Sequence, residues 1–277
     1  MPTLQAGDGV DLHLRTWEAE GTPRGTVVLV HGLGEHIGRY QHVAAALSAD
    51  RWRVAGYDHR GHGQSGGQRG GLASADDLLQ DLATVIDHVR VDGRLVLLGH
   101  SLGGAITGRF VAEGLAPQPA WWHRLVDALV MTSPALDLGM NPVQKALLGV
   151  FGPVAPTLAV GNGLKPGWIS RDPAVVKAYE DDPLVHNRVT ARLVRFLLDS
   201  GRRVREQAPS WEVPTLLLWA GADRCVAPAG SAAFAGAAPE HVVRSKEYPD
   251  CFHEILNEPE QVDVLNEIRH WLSEQGS

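Results

Sequence analysis

The sequence predicts an α/β fold in which a mostly parallel β-sheet is flanked by helices. Two observations carry this prediction. Short apolar, β-branched runs alternate along the chain with longer stretches of helical periodicity, and one serine between glycines stands directly between such a run and a helix. Alternation of this kind is typical of βαβ units, which pack into parallel sheets. The 277 residues lie within the size that one α/β domain reaches before its core must split.

Six short strand-like runs are predicted to form the sheet: residues 26–30, 52–58, 94–99, 128–132, 214–220 and 242–248. An initial hairpin is expected within residues 10–19. The clearest helices are predicted at residues 74–91, 102–113 and 260–274. The first of these helices begins at a serine with an aspartate three positions later, which suits an N-cap, and its apolar residues recur at helical spacing.

The alternation of strands and helices lapses over a long stretch in the middle of the chain that is rich in glycine and proline. A structureless loop of that length is unusual in a compact domain. We therefore interpret residues 137–208 as an inserted cap, or lid, which returns to the sheet through a helix at about residues 190–208. The core is then expected to consist of residues 1–136 and 209–277.

Charge and composition exclude several classes of protein. A formal net charge of −7 and a pI near 6.0 provide no basic surface for nucleic acid. No apolar run reaches the ~18 residues that span a bilayer. The N-terminal residues lack the basic start and apolar stretch of a signal peptide, so a cytoplasmic location is the default expectation.

The pattern G-x-S-x-G occurs twice, around Ser101 and around Ser65. In a nucleophile elbow the serine occupies a tight turn between a buried strand and a helix, which lifts its Oγ above the sheet. Ser101 follows residues 94–98 without a gap and precedes a sequence that is compatible with a helix. Ser65 comes well after its strand and leads into a glycine-rich stretch where no helix can begin. Ser101 is therefore the predicted nucleophile of a serine hydrolase.

A serine hydroxyl needs a base to remove its proton. In folds with such an elbow an acid and then a histidine follow the serine, each just beyond a later strand. Asp223 closes the apolar run that begins at residue 214, and His253 follows the last predicted strand, so these are the predicted partners of Ser101. Asp250 is the main rival acid, but it lies only three residues before the histidine in the same loop.

The other histidines have simpler explanations. His270 lies within the terminal helix, where it is expected to face solvent, and His241 precedes the last strand, at the wrong edge of the sheet. His59 and His62 belong to a glycine-rich loop. Because a zinc site usually needs three or four converging ligands, we predict that this loop is structural and that no metal is bound.

The oxyanion hole of such a fold combines the backbone N–H of the residue after the nucleophile with one from the loop after an early strand. The first donor is Leu102. The second is expected in residues 31–34, where we assign Leu33; a plain glycine turn is the alternative for this loop. The predicted chemistry is a two-step acyl transfer through an acyl-enzyme on Ser101, without a cofactor.

Several segments together resemble the monoacylglycerol lipase family of α/β-hydrolases, and the bacterial monoglyceride lipases most of all. They are HGLGEHIGRY (31–40), YDHRGHGQSGGQRG (57–70), GHSLGG (99–104), SRDPAVVKAYEDDPLVH (170–186), AGADRCVAP (220–228) and YPDCFHEILNEPE (248–260). The resemblance implies an α/β-hydrolase fold and the cleavage of monoacylglycerols to fatty acid and glycerol. Relatives that share most of these motifs leave a lysophospholipase or a short- to medium-chain carboxylesterase as alternatives, and an acyltransferase is a less favoured one.

The resemblance also implies a cap that carries a lipid-facing helix, with transient membrane or micelle contact, and a polar glycerol pocket. The cap would use residues 142–160, where an apolar stripe is formed by Val143, Ala146, Leu147, Val150, Phe151 and Val154. An ordinary buried face is the alternative for this stripe. The pocket would use Glu35, with Arg39 nearby, although Glu35 could instead form an ion pair that steadies its loop.

Only two cysteines occur, Cys225 and Cys251, and they flank the predicted acid and base. The loops that carry them must meet if the triad forms. A disulfide and two free thiols are both compatible with the sequence, and free thiols are favoured in a reducing compartment.

Overall fold

The computed structural model describes residues 3–275. Its main sheet has eight strands in the order β1-β2-β4-β3-β5-β6-β9-β10, and two further strands, β7 and β8, form a separate antiparallel pair. The strands are β1 (Thr3–Gln5), β2 (Asp11–Trp17), β3 (Gly25–Val30), β4 (Arg53–Tyr57), β5 (Arg94–His100), β6 (Ala128–Thr132), β7 (Ala159–Gly161), β8 (Arg188–Thr190), β9 (Thr215–Ala220) and β10 (Val243–Tyr248). From β4 to β10 the neighbours of the main sheet are parallel, which confirms the predicted fold class.

Helices cover both faces of the main sheet. They are α1 (Gln41–Ala49), α2 (Asp77–Val89), α3 (Leu102–Gly114), α4 (Pro142–Val154), α5 (Pro173–Asp181), α6 (Ala191–Gln207), α7 (Pro228–Ala237) and α8 (Gln261–Glu274). None of the helices in residues 3–275 is both long and apolar enough to cross a membrane.

Strand β3 shows how the two faces are filled, because successive side chains of a strand point to opposite sides. Val27 and Leu29 pack with α1 and α8 in one apolar cluster, whereas Val28 and Val30 pack with α2, α3, α6 and α7 in the other. All four side chains are fully buried. A strand that is apolar on both faces is expected at the centre of a parallel sheet covered by helices.

Two predicted elements differ from the structure. Residues 10–19 do not form a hairpin; they contain the single strand β2, which pairs antiparallel with β1 on one side and β4 on the other. The chain reverses before this stretch, between β1 and β2, where Gly9 adopts a positive φ of 87°. The helix predicted from residue 74 begins at Asp77, whose carboxylate accepts hydrogen bonds from the backbone N–H groups of Ala73 and Ser74.

The segment predicted as an insertion, residues 137–208, contains α4, α5, the β7–β8 pair and α6. Thr190 caps the N-terminus of α6, since its hydroxyl accepts a hydrogen bond from the N–H of Leu193. Backbone hydrogen bonds tie the segment to the core, among them those from the His186 N–H to the Gly34 carbonyl, from the Thr190 N–H to the Gly70 carbonyl and from the Glu254 N–H to the Ile169 carbonyl. Helix α5 was not predicted from the sequence.

Helix α4 exposes its apolar stripe instead of burying it. Val143, Leu147, Val150 and Val154 are 67%, 51%, 64% and 81% exposed. The side chain of Phe151, the other large residue of the predicted stripe, falls outside the part of the chain that the structure describes. The alternative of an ordinary buried face therefore does not hold for the four residues measured.

Candidate active site

Ser101 occupies the turn between β5 and α3. Its φ of 53° and ψ of −114° place the backbone in a conformation that L-residues rarely adopt. The glycines on either side allow strand and helix to approach each other closely. A Cβ atom at Gly103 would overlap the Val30 carbonyl, and one at Gly99 would overlap the Gly103 carbonyl. The local sequence thus forms a strained strand-turn-helix elbow, with the serine at its apex.

The structure brings Ser101, His253 and Asp223 together in one hydrogen-bonded chain. The Nε2 atom of His253 lies 2.8 Å from Ser101 Oγ, and its Nδ1 atom lies 2.6 Å from Asp223 Oδ2. The three residues follow β5, β10 and β9 respectively. Since these strands are parallel, their carboxyl ends share one edge of the sheet, and the loops beyond them converge there.

The electrostatics of this chain favour a histidine that can accept a proton. Burial disfavours the charged imidazolium, but the adjacent Asp223 carboxylate outweighs burial and raises the pKa of His253 above its ordinary value. Burial likewise opposes ionisation of Asp223, yet its interactions with His253 lower the pKa of that carboxyl. Because a carboxylate only accepts hydrogen bonds, Nδ1 carries the proton and the Nε2 lone pair faces the serine hydroxyl.

The Asp223 carboxylate is held in place by its own loop. Its Oδ1 atom accepts hydrogen bonds from the backbone N–H groups of Cys225 at 2.7 Å and Val226 at 3.1 Å. Its second oxygen is therefore left for His253. The rival acid, Asp250, is exposed to solvent and forms no part of this chain of hydrogen bonds.

The residues predicted to form an oxyanion hole lie on both sides of Ser101. Leu102 is the first residue of α3, so its N–H is one of those that a helix leaves without an internal partner. Leu33 lines the same cavity as Ser101. The segment before it passes close to the nucleophile, since a Cβ atom on Gly32 would stand 3.3 Å from the Ser101 Cβ.

Glu35 and Arg39 belong to a buried network of charges. Glu35 Oε1 accepts hydrogen bonds from the Gly32 N–H at 2.6 Å and the Tyr40 hydroxyl at 2.7 Å, while Oε2 accepts from Arg39 Nη1 at 2.6 Å. Arg39 also forms a two-point ion pair with Glu254, at 2.6 and 2.7 Å. Glu35 therefore does form the ion pair that steadies its loop. Burial alone would raise the pKa of Glu35, but Arg39 and its other partners lower it.

A cavity of about 570 Å³ opens over Ser101. Its lining includes Glu35, Glu254 and Tyr179 together with the apolar residues Leu33, Leu164, Ile169 and Val185. Arg39 is not part of the lining, since its guanidinium lies behind the two glutamates. Much of one wall comes from residues 162–188, within the predicted insertion. The elbow thus opens into a cavity whose walls include both carboxylates and apolar side chains.

Several residues that line the cavity were not predicted as site residues, among them Glu254, Tyr179 and His100. Glu254 follows His253 directly, and this adjacency was the available signal. Tyr179 lies in a family-like segment, and its ring packs under the Arg39 guanidinium at 4.9 Å. His100 precedes the serine and lines the cavity. Burial and the nearby His253 lower the pKa of His100 to about 4, so its ring is neutral.

The remaining candidates form no part of the chain of hydrogen bonds from Ser101 to Asp223. Ser65 Oγ donates a hydrogen bond to the Asp58 carbonyl at 2.6 Å and accepts one from the His13 N–H, which fastens its loop to β2. His59 packs against His31, whose Nε2 accepts a hydrogen bond from the His59 backbone N–H at 2.9 Å.

His270 is 70% exposed. Cys225 and Cys251 are free thiols, which is the favoured of the two alternatives.

Comparison with known proteins agrees with this architecture. Residues 21–260 match the family described as serine aminopeptidase, S33. A monoacylglycerol lipase of Mycolicibacterium smegmatis is 36% identical over 272 residues, which cover 95% of this chain and 93% of that protein. A monoglyceride lipase of Rattus norvegicus is 32% identical, and the match covers 99% of this chain and 90% of that protein.

Among solved structures, that of Paleococcus ferrophilus monoacylglycerol lipase superposes with a TM-score of 0.84 at 33% identity. The superposition covers 95% of this chain and 99% of the chain of that lipase. The identities and the coverage are high enough to assign a family as well as a fold. The chain therefore belongs to the serine aminopeptidase S33 family of α/β-hydrolases, and the predicted resemblance to the monoacylglycerol lipase family is confirmed.

Proposed function

We propose that this protein hydrolyses the ester bond of monoacylglycerols, with Ser101 as nucleophile, His253 as general base and Asp223 as the residue that orients the imidazole. The observation that carries the proposal is the chain of hydrogen bonds from Ser101 through His253 to Asp223 at the base of the cavity. The names of the relatives support the choice of a monoacylglycerol as substrate.

The reaction begins with proton transfer. His253 Nε2 takes the proton of Ser101 as the hydroxyl oxygen attacks the ester carbonyl, and Asp223 stabilises the imidazolium that forms. The protonated His253 then gives its proton to the departing glycerol oxygen. Water, activated by the same histidine, releases the fatty acid from the acyl-enzyme and regenerates the serine.

The charge that develops on the carbonyl oxygen needs donors that are already in place. We assign this role to the backbone N–H groups of Leu33 and Leu102. A donor of this kind contributes about 3 to 4 kcal/mol to stabilisation of the transition state in serine hydrolases. The α3 N-terminus adds a favourable dipole on the same side.

Substrate selection would use both kinds of lining. Glu35 and Glu254 offer acceptors to the hydroxyls of glycerol, and Arg39 positions the two carboxylates from behind. The acyl chain would contact Leu33, Leu164 and the other apolar residues of the cavity. We propose that residues 137–208 act as the cap that encloses this chain.

The exposed stripe on α4 suits contact with a lipid surface. A continuous set of exposed apolar side chains on one helix marks an interaction site more often than chance exposure. We propose that Val143, Leu147, Val150 and Val154 contact a membrane or micelle transiently while a substrate molecule enters the cavity.

A panel of esters tests the proposal. Purified protein is assayed on monoolein, lysophosphatidylcholine, triolein and p-nitrophenyl esters of increasing chain length, with Ser101→Ala as the blank. We expect monoolein to have the highest kcat/KM, and Ser101→Ala to lose activity by at least about a thousandfold. The variant should keep the wild-type circular dichroism and melting temperature. Retention of most activity by the folded variant would refute the assignment of Ser101.

Lysophospholipid hydrolysis is the second candidate. Arg69, Lys165 and Arg188 also line the cavity, and their charges suit a substrate phosphate. A higher kcat/KM for lysophosphatidylcholine than for monoolein would favour this alternative. A maximum at short p-nitrophenyl esters, with little activity on either lipid, would favour a carboxylesterase.

A further inference from the structure

We propose that Asp223, Cys225 and His253 form an inhibitory binding site for a thiophilic divalent cation, Zn²⁺ or Cd²⁺. The cluster offers one carboxylate oxygen, one thiol sulfur and one ring nitrogen, and these three atoms all lie within 4.8 Å of one another. Sulfur, imidazole nitrogen and carboxylate oxygen are the ligands that zinc takes in proteins.

The distances require a local rearrangement. Zinc binds these ligand atoms at about 2.0–2.3 Å in a tetrahedral arrangement, which places any two of them roughly 3–4 Å apart. Atoms that lie up to 4.8 Å apart would have to approach by about 1 to 2 Å, whereas Asp223 Oδ2 and His253 Nδ1, which are 2.6 Å apart, would have to separate by about 1 Å. The turn after Asp223 already holds the cysteine beside the carboxylate, because the backbone N–H of Cys225 donates to Asp223 Oδ1 at 2.7 Å.

The site is also accessible. Cys225 and His253 both line the cavity over Ser101, so an ion can enter from the side on which the substrate binds. The fourth coordination position would face the cavity and take a water molecule. Three protein ligands with one open position is the arrangement of catalytic zinc sites, in contrast to closed structural ones.

The second cysteine lies in a similar cluster that provides a contrast. Cys251, Glu258 and Glu260 also place three donor atoms within 4.8 Å of one another. There, however, Arg171 already neutralises the carboxylates, with Nε 2.5 Å from Glu258 and a further ion pair to Glu260. A cation would have to displace this guanidinium, so we expect only the Cys225 cluster to bind metal.

Binding has a defined proton balance. The metal takes the place of the Cys225 thiol proton, which is released to solvent, while Asp223 is already a carboxylate. Neutral imidazole keeps one proton in either tautomer, so His253 loses none overall; a metal bound at Nδ1, beside Asp223, requires that this proton move to Nε2. A histidine and an aspartate that are committed to a metal can no longer transfer and stabilise the proton of Ser101. Inhibition therefore rests on the proposed function, whereas metal binding does not.

Inhibition is measured as the ZnCl₂ concentration that halves ester hydrolysis, with each variant compared with its own metal-free rate. We expect Cys225→Ser to raise this concentration by at least about tenfold, since loss of even an outer partner of a metal site costs 10- to 100-fold in affinity. Cys251→Ser is the matched control and should respond like the wild type. MgCl₂ should not inhibit any of them, because Mg²⁺ prefers oxygen ligands.

Binding is measured separately in the Ser101→Ala background, which retains all three ligands. Titration with CdCl₂ should produce the ultraviolet thiolate-to-metal charge-transfer band with one equivalent of Cd²⁺. The band should disappear when Cys225→Ser is added but persist with Cys251→Ser. Equal Zn²⁺ sensitivity of Cys225→Ser and the wild type, or a Cd²⁺ band that depends on Cys251, would overturn the proposal. Failure of the ester assay alone would refute the proposed function and leave the Cd²⁺ result standing.

Discussion

The Nε2 atom of His253 lies 2.8 Å from the Oγ atom of Ser101, although the two residues are 152 positions apart in the chain. The parallel sheet accounts for this proximity, because both residues follow strands whose carboxyl ends lie at the same edge. A hydrogen bond of this length makes the protonation state of His253 the control point of the proposed reaction.

The first prediction concerns pH. Since the Asp223 carboxylate outweighs burial and raises the pKa of His253, kcat/KM should fall as the pH decreases through a midpoint above 6.5, the ordinary value for histidine. In Asp223→Asn, burial is no longer opposed by a negative charge, so the midpoint should move to lower pH. The rate at the optimum should also fall by about 10⁴-fold, as in other Ser-His-Asp enzymes. Initial rates from pH 4 to 9 measure both effects; an unmoved midpoint in Asp223→Asn contradicts the assignment.

The second prediction concerns the buried ion pairs of Arg39. Its side chain is 12% exposed, and those of Glu35 and Glu254 are 4% and 6% exposed. Arg39→Gln leaves two buried carboxylates without a cation, which should lower the free energy of unfolding by about 3 kcal/mol or more at pH 7. Urea denaturation measures this change. Arg202→Gln, which removes only exposed ion pairs, is the control and should unfold like the wild type.

The same variant should respond to pH with a definite sign. In the wild type the pKa of Glu35 is lowered in the folded state, because Arg39 and other partners outweigh burial. That carboxylate therefore stabilises the fold above its unfolded pKa and loses this contribution as the pH falls through the folded value. Without Arg39, burial raises the pKa of Glu35. The difference in free energy of unfolding between the wild type and Arg39→Gln should accordingly become smaller at acid pH. A difference that becomes larger at acid pH would contradict this network of ion pairs.

The third prediction concerns the glycine after the elbow. Alanine usually favours a helix over glycine by about 1 kcal/mol. At Gly103, however, a Cβ atom would overlap the Val30 carbonyl, so Gly103→Ala should destabilise the protein by about 1 to 3 kcal/mol. Gly149 in α4 has no atom within 4 Å of its hypothetical Cβ, and Gly149→Ala should be neutral or stabilising. The melting temperatures of Gly103→Ala and Gly149→Ala test this difference. Shifts of similar size in the same direction would refute the prediction.

The fourth prediction concerns the exposed face of α4. Leu147→Asp and Val150→Asp each place a charge on the proposed lipid-contacting stripe. Because burial of an apolar side chain contributes about 1.5 to 3 kcal/mol, each variant should partition to phosphatidylcholine vesicles roughly tenfold less or lower still. Val262 on α8 is equally exposed at 65%, and Val262→Asp serves as the matched control. Vesicle flotation measures the bound fraction. Equal loss in all three variants would show that α4 has no special part in membrane contact.

The residue pattern within each strand was enough to predict the core of the fold. Apart from β10, whose middle residues are polar, the strands from β3 onward in the main sheet are largely apolar runs that can be recognised without any partner, and the observed bounds of all six lie within one or two residues of those predicted. The hairpin within residues 10–19 was predicted wrongly because β2 alternates like an edge strand, and sequence alone does not show which strand pairs with it. Helix α5 was missed since its short sequence buries none of its side chains and so has no clear apolar face.

The sequence by itself determined the family, the parallel sheet and the identity of the elbow serine, because each depends on residues that are close together in the chain. Only the tertiary structure decided which side chains face the cavity. It showed that Arg39 stands behind Glu35 and Glu254, that Cys225 lies beside Asp223 and His253, and that α4 leaves its apolar stripe uncovered. These relationships depend on how distant loops cross at one edge of the sheet, and burial then sets the charge and hydrogen bonding of each group.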